Sequence, residues 1–187
     1  MFKSEIRVIG WDDASHKRGQ RKRVLLVGVI TRGGKYIDGM LSTKVKYDGL
    51  DATEKIASAI NKSRHRDQLR CIMTNGISFA GFNLVDIKEL ARLTSLPVIA
   101  VQRKMPDVKS FISAMRKFKD FEKRKEIVKN AGKIHKCGKI YFQKAGISVK
   151  DAREIIKICT THGNLPEPIR VAHIIASGLS GESRGRA

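Results

Sequence analysis

Hydrophobic and polar positions along this chain change their period several times. Three segments near the start, EIRVIGW (5–11), RVLLVGVITR (23–32) and KYIDGMLSTKVKY (35–47), are rich in β-branched and aromatic residues. That enrichment predicts strands, and Gly33-Gly34 predicts a tight turn between the second and third, so the three read as an antiparallel meander. The period then lengthens. In ATEKIASAINKSR (52–64), Ile56 and Ile60 lie four apart and mark one apolar helical face. Asp51 precedes it as N-cap, and Glu54, three residues on, comes close to a capping box. LRCIMTN (69–75) predicts a short buried strand, NLVDIKELARLT (83–94) an amphipathic helix, and PVIAVQR (97–103) a buried strand of the parallel type. A long basic helical stretch follows over 107–131, broken once. A strand over 139–143 comes next, then a helix over 148–163 with Ser148 as N-cap and Gly163 as its stop, and a last helix after Pro168. Residues 1–180 are expected to form one domain, and the small, polar residues 181–187 a flexible tail.

Three strands, helix, strand, helix, strand, and then helices with a late strand is the element order of a ribonuclease-H-like domain. The expected fold is therefore α/β, with a mixed sheet that opens on a three-stranded antiparallel meander and is flanked by helices. A doubly wound fold would alternate strand and helix from its first element.

Charge narrows the partners. Lys and Arg number 38 against 18 Asp and Glu, a formal net charge of +20. The simplest partner for such an excess is a phosphate backbone, where each neutralised phosphate releases a counterion. Cys71, Cys137 and Cys159 lie far apart with no CxxC pair, which argues against a zinc ribbon. An odd cysteine count without a signal-peptide pattern points to a reducing cytoplasm. Apolar runs such as VLLVGVI are too short to span a bilayer, so no membrane partner is expected. No motif calls for a small organic cofactor.

Candidate chemistry begins at IGWDDASHKRGQRKR (9–23). Asp12 and Asp13 either cap a strand-end turn or hold a divalent metal. Alternation along a strand turns only one of them to a cleft, and Asp12 takes first place, Asp13 second. Lys17, Arg18, Arg21 and Lys22 come without an aromatic to stack on bases, so they suit phosphate. Arg64 and Arg66 in SRHRDQLR form either a phosphate clamp or a cationic helix end. Arg103 and Lys104 follow a strand, at the end where α/β sheets bind ligands. Phe82 and Asn83, in a Gly-containing turn, suit an everted base, whereas Phe79 reads as core. His173, on the apolar VAHIIA face, reads as a satisfied core histidine.

MTNGISFAGFNLVDIKELARLTSLPVIAVQRK (73–104) and LPEPIRVAH (165–173) resemble endonuclease V. YDGLDATEKI, SRHRDQLR, FAGFN and the GESRGRA tail resemble still more closely an archaeal family of endonuclease V homologues, endonuclease dU, over almost the whole chain. The resemblance implies a ribonuclease-H-like fold. It also implies a role in DNA repair, by Mg²⁺- or Mn²⁺-dependent hydrolysis of phosphodiester bonds in DNA beside a deaminated base, uracil for the archaeal family. It puts Asp12 at the first catalytic aspartate. The second carboxylate falls near Glu54, with Asp51 a turn earlier, and either could serve. Asn75, in Thr-Asn-Gly, stands where the family has an aspartate, and a family histidine near Ala145 has no counterpart. The implied catalytic set is Asp12, Asp51 or Glu54, and Asn75, with Asp13 as a further metal ligand and Lys104 near the phosphate. Two other readings stay open: a non-catalytic nucleic-acid-binding protein on a degenerate nuclease scaffold, and a nuclease for structured RNA.

Overall fold

The computed structural model describes residues 2–15, 23–179 and 181. Strands β1 (Arg7–Asp13), β2 (Arg23–Arg32) and β3 (Tyr36–Lys46) pair antiparallel in sequence order, as the opening pattern predicts. Helix α1 (Ala52–Asn61) leads to β4 (Cys71–Asn75), which lies parallel to β1. Strands β5 (Ser78–Phe79) and β6 (Asn83–Leu84) then form a separate small hairpin. After α2 (Ile87–Thr94), β7 (Val98–Gln102) runs parallel to β4. The basic stretch splits into α3 (Val108–Ala114) and α4 (Phe121–Asn130), consistent with one break. Strands β8 (His135–Cys137) and β9 (Ile140–Ala145) close the sheet, and α5 (Val149–Cys159) and α6 (Glu167–Gly178) end the described chain. The seven-stranded sheet has the order β3-β2-β1-β4-β7-β9-β8.

Two expectations shift. The helix expected from residue 83 starts at Ile87, because Asn83 and Leu84 pair with Ser78 and Phe79 and the Asp86 carboxylate caps α2 by accepting from the Lys88 and Glu89 amides. The last helix starts at Glu167, with Pro168 in the first turn where its missing N–H is not needed. The expected tail lies outside the described residues except at residue 181.

Both faces of the sheet are covered, which explains the near-continuous hydrophobic strands. Val8, Cys71, Met73, Ile99 and Val101 face α5 and α6, and Ile9, Trp11, Ile72, Val98 and Ala100 face α1 to α4. Helix α6 lies almost on the backbone of β1. A Cβ at Gly10 would stand 2.4 Å from the Pro168 carbonyl carbon, so only glycine lets the helix approach this closely. No helix among the described residues is long and apolar enough to cross a membrane.

Candidate active site

The parallel strands β1, β4 and β7 all end at one edge of the sheet. Their register pairs Trp11 with Thr74, so the next step sets Asp12 beside Asn75. Strand alternation turns both toward the α5/α6 face. Asp13 turns to the other face, where its Oδ2 accepts from the Ala80 amide at 2.7 Å. Gly76, with φ of 72°, bends the chain away directly after Asn75. Asp12 is only 3% exposed. Its Oδ1 accepts the Asp13 amide at 2.9 Å, and its Oδ2 meets Nδ1 of His173 at 2.8 Å, from a position 161 residues later on α6. Asp12, Asp13, Ser15, Asn75, His173 and Ser177 line one cleft of about 330 Å³. The hydrogen bond to Asp12 raises the His173 pKa above the ordinary imidazole value, against burial and the nearby Arg103 charge, which both lower it. The imidazolium form, with Nδ1–H donating to Asp12, is thereby favoured.

A second cleft, about 480 Å³, opens at the same edge beneath α3 and α4. Asn75, Gly76, Ile77 and Ser78 form one side of it, the stretch from Gln102 to Val108 another, and Phe111, Val128 and Gln143 complete it. Asn75 belongs to both clefts. Arg103 and Lys104 are exposed beside this opening.

The structure thus brings Asp12 and Asn75 together, with Asp13 at the rim of the same cleft but turned to the Ala80 amide, and Arg103 and Lys104 at the same edge. It does not bring Asp51 or Glu54 into the acid cleft. Asp51 starts α1 on the opposite face, where its Oδ1 accepts from the Lys46 amide at 3.1 Å and from Asn83 Nδ2 at 2.7 Å, and Glu54 is exposed. The base-pocket reading of Phe82 and Asn83 also changes. Asn83 is fully buried and its polar atoms are taken up by the protein: it donates to the Lys46 carbonyl at 2.8 Å and to Asp51, and accepts from the Ala52 amide at 3.0 Å. It brackets the start of α1. Phe82 packs against Phe111 and Phe118, each with ring centroids 5.5 Å away. Arg64 and Arg66 precede β4 and so sit at the far edge, about 13 Å away for four residues of strand. Arg66 donates to the Thr94 carbonyl and to Asn61, tying the ends of α2 and α1 together. Lys17, Arg18, Arg21 and Lys22 lie outside the described residues.

Two groups at the site escaped the sequence reading. His173 looked like core because its neighbours on α6 are apolar; the signal available was a second polar residue one turn on, Ser177, which also lines the cleft. Gln143 had no signal of its own, since its strand reads as ordinary core. Among the described residues no three His, Cys, Asp or Glu side chains form a group able to hold a metal ion. What the acid cleft offers is a pair of oxygen donors, the Asp12 carboxylate and the Asn75 amide, open on one side, with Asp13 at the rim and turned to the Ala80 amide. Such a set suits a hard, partly hydrated cation that completes its shell with water and phosphate, and does not suit a closed protein cage.

An antiparallel meander joined to a parallel pair, with acids at the strand ends, defines a ribonuclease-H-like fold of the endonuclease V type. Endonuclease V from Ciona intestinalis, solved in complex with a 24mer DNA containing an inosine, shares it with a TM-score of 0.58 and 18% identity, over 89% of this chain and 82% of that one. A protein of unknown function from Archaeoglobus fulgidus is similar at TM-score 0.88 and 42% identity, over 94% of this chain and 98% of that one. The endonuclease dU family profile matches residues 4–180, and the chain belongs to that family. A Methanothermobacter thermautotrophicus relative, known only as a UPF0215 protein, is 50% identical over 191 residues, covering all of this chain and 94% of its own length. Family membership supports a nuclease.

Proposed function

We propose that this protein is a metal-dependent endonuclease that hydrolyses phosphodiester bonds in DNA carrying a deaminated base, uracil in the first place, as a step in DNA repair. One observation carries the reading: a nearly buried aspartate at the end of β1 is held by a histidine from α6 and lies in register with Asn75, at the edge where cations from β7 also emerge. Asp12 and the Asn75 carbonyl would hold Mg²⁺ or Mn²⁺, and Asp13, bonded to the Ala80 amide, would have to turn to join them. When bound, the ion supplies polarisation of the phosphoryl oxygens and a more acidic water. The remaining work falls to the chain. Asp12 fixes the His173 ring through Nδ1, so Nε2 is the atom at which a proton is taken up or released. Arg103 and Lys104 hold the phosphates on either side of the scissile bond. The 480 Å³ cleft takes the base that is turned out of the stack, replacing the turn at Phe82 and Asn83 in that role. The inosine-containing DNA bound by the Ciona intestinalis enzyme supports deaminated DNA as the substrate class.

The non-catalytic reading draws support from one observation, the absence among the described residues of a three-ligand group. A cleavage assay separates the two. Duplexes with uracil, hypoxanthine or no lesion are incubated with Mg²⁺ or Mn²⁺ and either the wild type or Asp12→Ala. The expected result is lesion-dependent cleavage that drops on the order of 10²–10³-fold in Asp12→Ala, the scale of losing one preorganised electrostatic group. Wild-type protein that never cleaves, or a variant that cleaves as well as wild type, overturns the proposal.

A further inference from the structure

The 480 Å³ cleft has apolar walls, Ile77, Phe111 and Val128, and one deeply buried polar side chain, Gln143. Gln143 lies on β9 opposite Ala100, so it points to the same face as Gln102, two residues further along β7. It is 5% exposed. Its Nε2 donates to the Gly132 carbonyl at 2.9 Å. A carbonyl accepts only from the amide nitrogen, so this bond settles which way the side chain faces. Oε1 is left as an acceptor with no partner among the described residues, on a side chain that lines the cleft. A ligand that fills the cleft seals this acceptor from water, and an acceptor sealed without a donor is costly, so a ligand that supplies one N–H is favoured over one that does not.

From this geometry we infer that Gln143 determines base specificity, its Oε1 accepting the ring N–H that deamination creates. The inference rests on the proposed function and deepens it. Cytosine carries a lone pair at N3, and adenine a lone pair at N1. Deamination turns each into a lactam, and the same ring position becomes an N–H. An acceptor fixed in the cleft therefore pairs with uracil N3–H or hypoxanthine N1–H and opposes the lone pair of the parent base. Gly132 holds the amide in place, so the acceptor cannot flip to present a donor. Thymine carries the same N–H. This contact separates lactam bases from amino bases, and thymine is held back by the cost of turning a correctly paired base out of the duplex, which a mispaired uracil largely avoids.

The test uses short single-stranded DNA with one central dU, dC or N3-methyl-dU, and equilibrium binding to the full chain in Ca²⁺. Single strands remove the unstacking difference between paired bases. N3-methyl-dU keeps the uracil ring and carbonyls but has no N–H. Wild-type protein is expected to bind dU at least about 10-fold more tightly than either of the others, the discrimination of one good base contact. In Gln143→Ala, which removes the acceptor and leaves room for the methyl group, dU and N3-methyl-dU are expected to bind equally. Binding of N3-methyl-dU as tightly as dU by the wild type overturns the inference without any variant, so a poorly folding variant does not protect it. Retention of the wild-type ratio by Gln143→Ala overturns it as well. If lesion-dependent cleavage is seen but these ratios are flat, the proposed function stands and the role of Gln143 falls. If cleavage never depends on a lesion, the proposed function itself falls.

Discussion

At the amino end of β4, Arg66 reaches back to the Thr94 carbonyl and the Asn61 side chain. At the carboxyl end, Asn75 opens onto two clefts, with Asp12 and His173 on one side and Arg103 and Lys104 on the other. The strand between them is almost wholly buried. Both ends carry polar and cationic groups, yet Arg66 at the amino end closes on the protein's own helix termini, while the groups at the carboxyl end line two clefts that open to solvent. The difference follows from strand direction. Parallel strands send their following loops to one edge, and the side chains gathered there come from segments far apart in sequence. A cation in a sequence therefore says little about phosphate binding until its end of the sheet is known.

Substitutions on the two sides should separate these roles. The largest effect is expected at the carboxyl edge. His173→Ala should cut cleavage by roughly 10- to 100-fold, the usual loss when the partner of a metal-ligating side chain is removed. Arg66→Ala should leave the cleavage rate per folded molecule unchanged and lower stability by about 1–2 kcal/mol, read in a denaturant titration. If Arg66→Ala slows cleavage as much as His173→Ala does, the contrast between the two ends is wrong.

DNA binding gives a second, smaller measure of the same contrast. Reversing the charge of Arg103 and Lys104 together should remove two phosphate contacts. The slope of log affinity against log salt should then flatten by about 1.8, a loss near 10-fold at the low end of a fourfold salt range. Arg64→Glu, at the far edge, should leave the slope as it is. Filter binding or anisotropy at four salt concentrations decides this.

The smallest effect concerns how α6 is anchored. Glu167, buried at the start of that helix, accepts from Arg170 at 2.7 Å and from the His162 amide at 3.2 Å. Burial raises its pKa, but Arg170 and the His162 N–H outweigh burial and hold it below the ordinary 4.5. A carboxylate depressed in the folded state stabilises fully above its unfolded value, and that stability is lost as pH falls through the lower folded value. Glu167→Gln should therefore lower Tm at pH 7, at a cost of about 1 kcal/mol, and the gap from wild type should narrow as pH drops below the ordinary carboxyl range. Melts at several pH values check it, and a gap that persists in strong acid would assign the effect to packing.

The meander, α1, β4 and β7 were legible because each is long or strongly patterned, and the acid at the end of β1 could be found from strand order alone. The hairpin of β5 and β6 was not, since two-residue strands carry no period and Asn83 and Leu84 blend into the amphipathic run that follows. Strand β8, three residues long, failed for the same reason. Within the site, Asp12 was visible because it ends its own strand, and Asn75 through the resemblance of Thr-Asn-Gly to the endonuclease V motif. His173 and Gln143 were not, because each gains its role from a partner that only the folded sheet supplies: Asp12 from 161 residues away for the histidine, and the Gly132 carbonyl for the glutamine. Asp51 and Glu54 lie outside the acid cleft because a helix N-terminus at one edge of a sheet can lie on either face.

Gly10 sits two residues before Asp12, directly under the first turn of α6. The atoms that a side chain there would strike belong to backbone, so no rotamer change could relieve the clash. Even a single methyl group would act as a wedge between strand and helix. Lifting α6 would carry His173 off Asp12, and the damage would appear away from its source, as a lost His173–Asp12 contact with every residue of the cleft intact. The tolerance of this candidate site is thus set by a hydrogen atom: the smallest side chain in the protein is the spacer that keeps His173 within reach of Asp12.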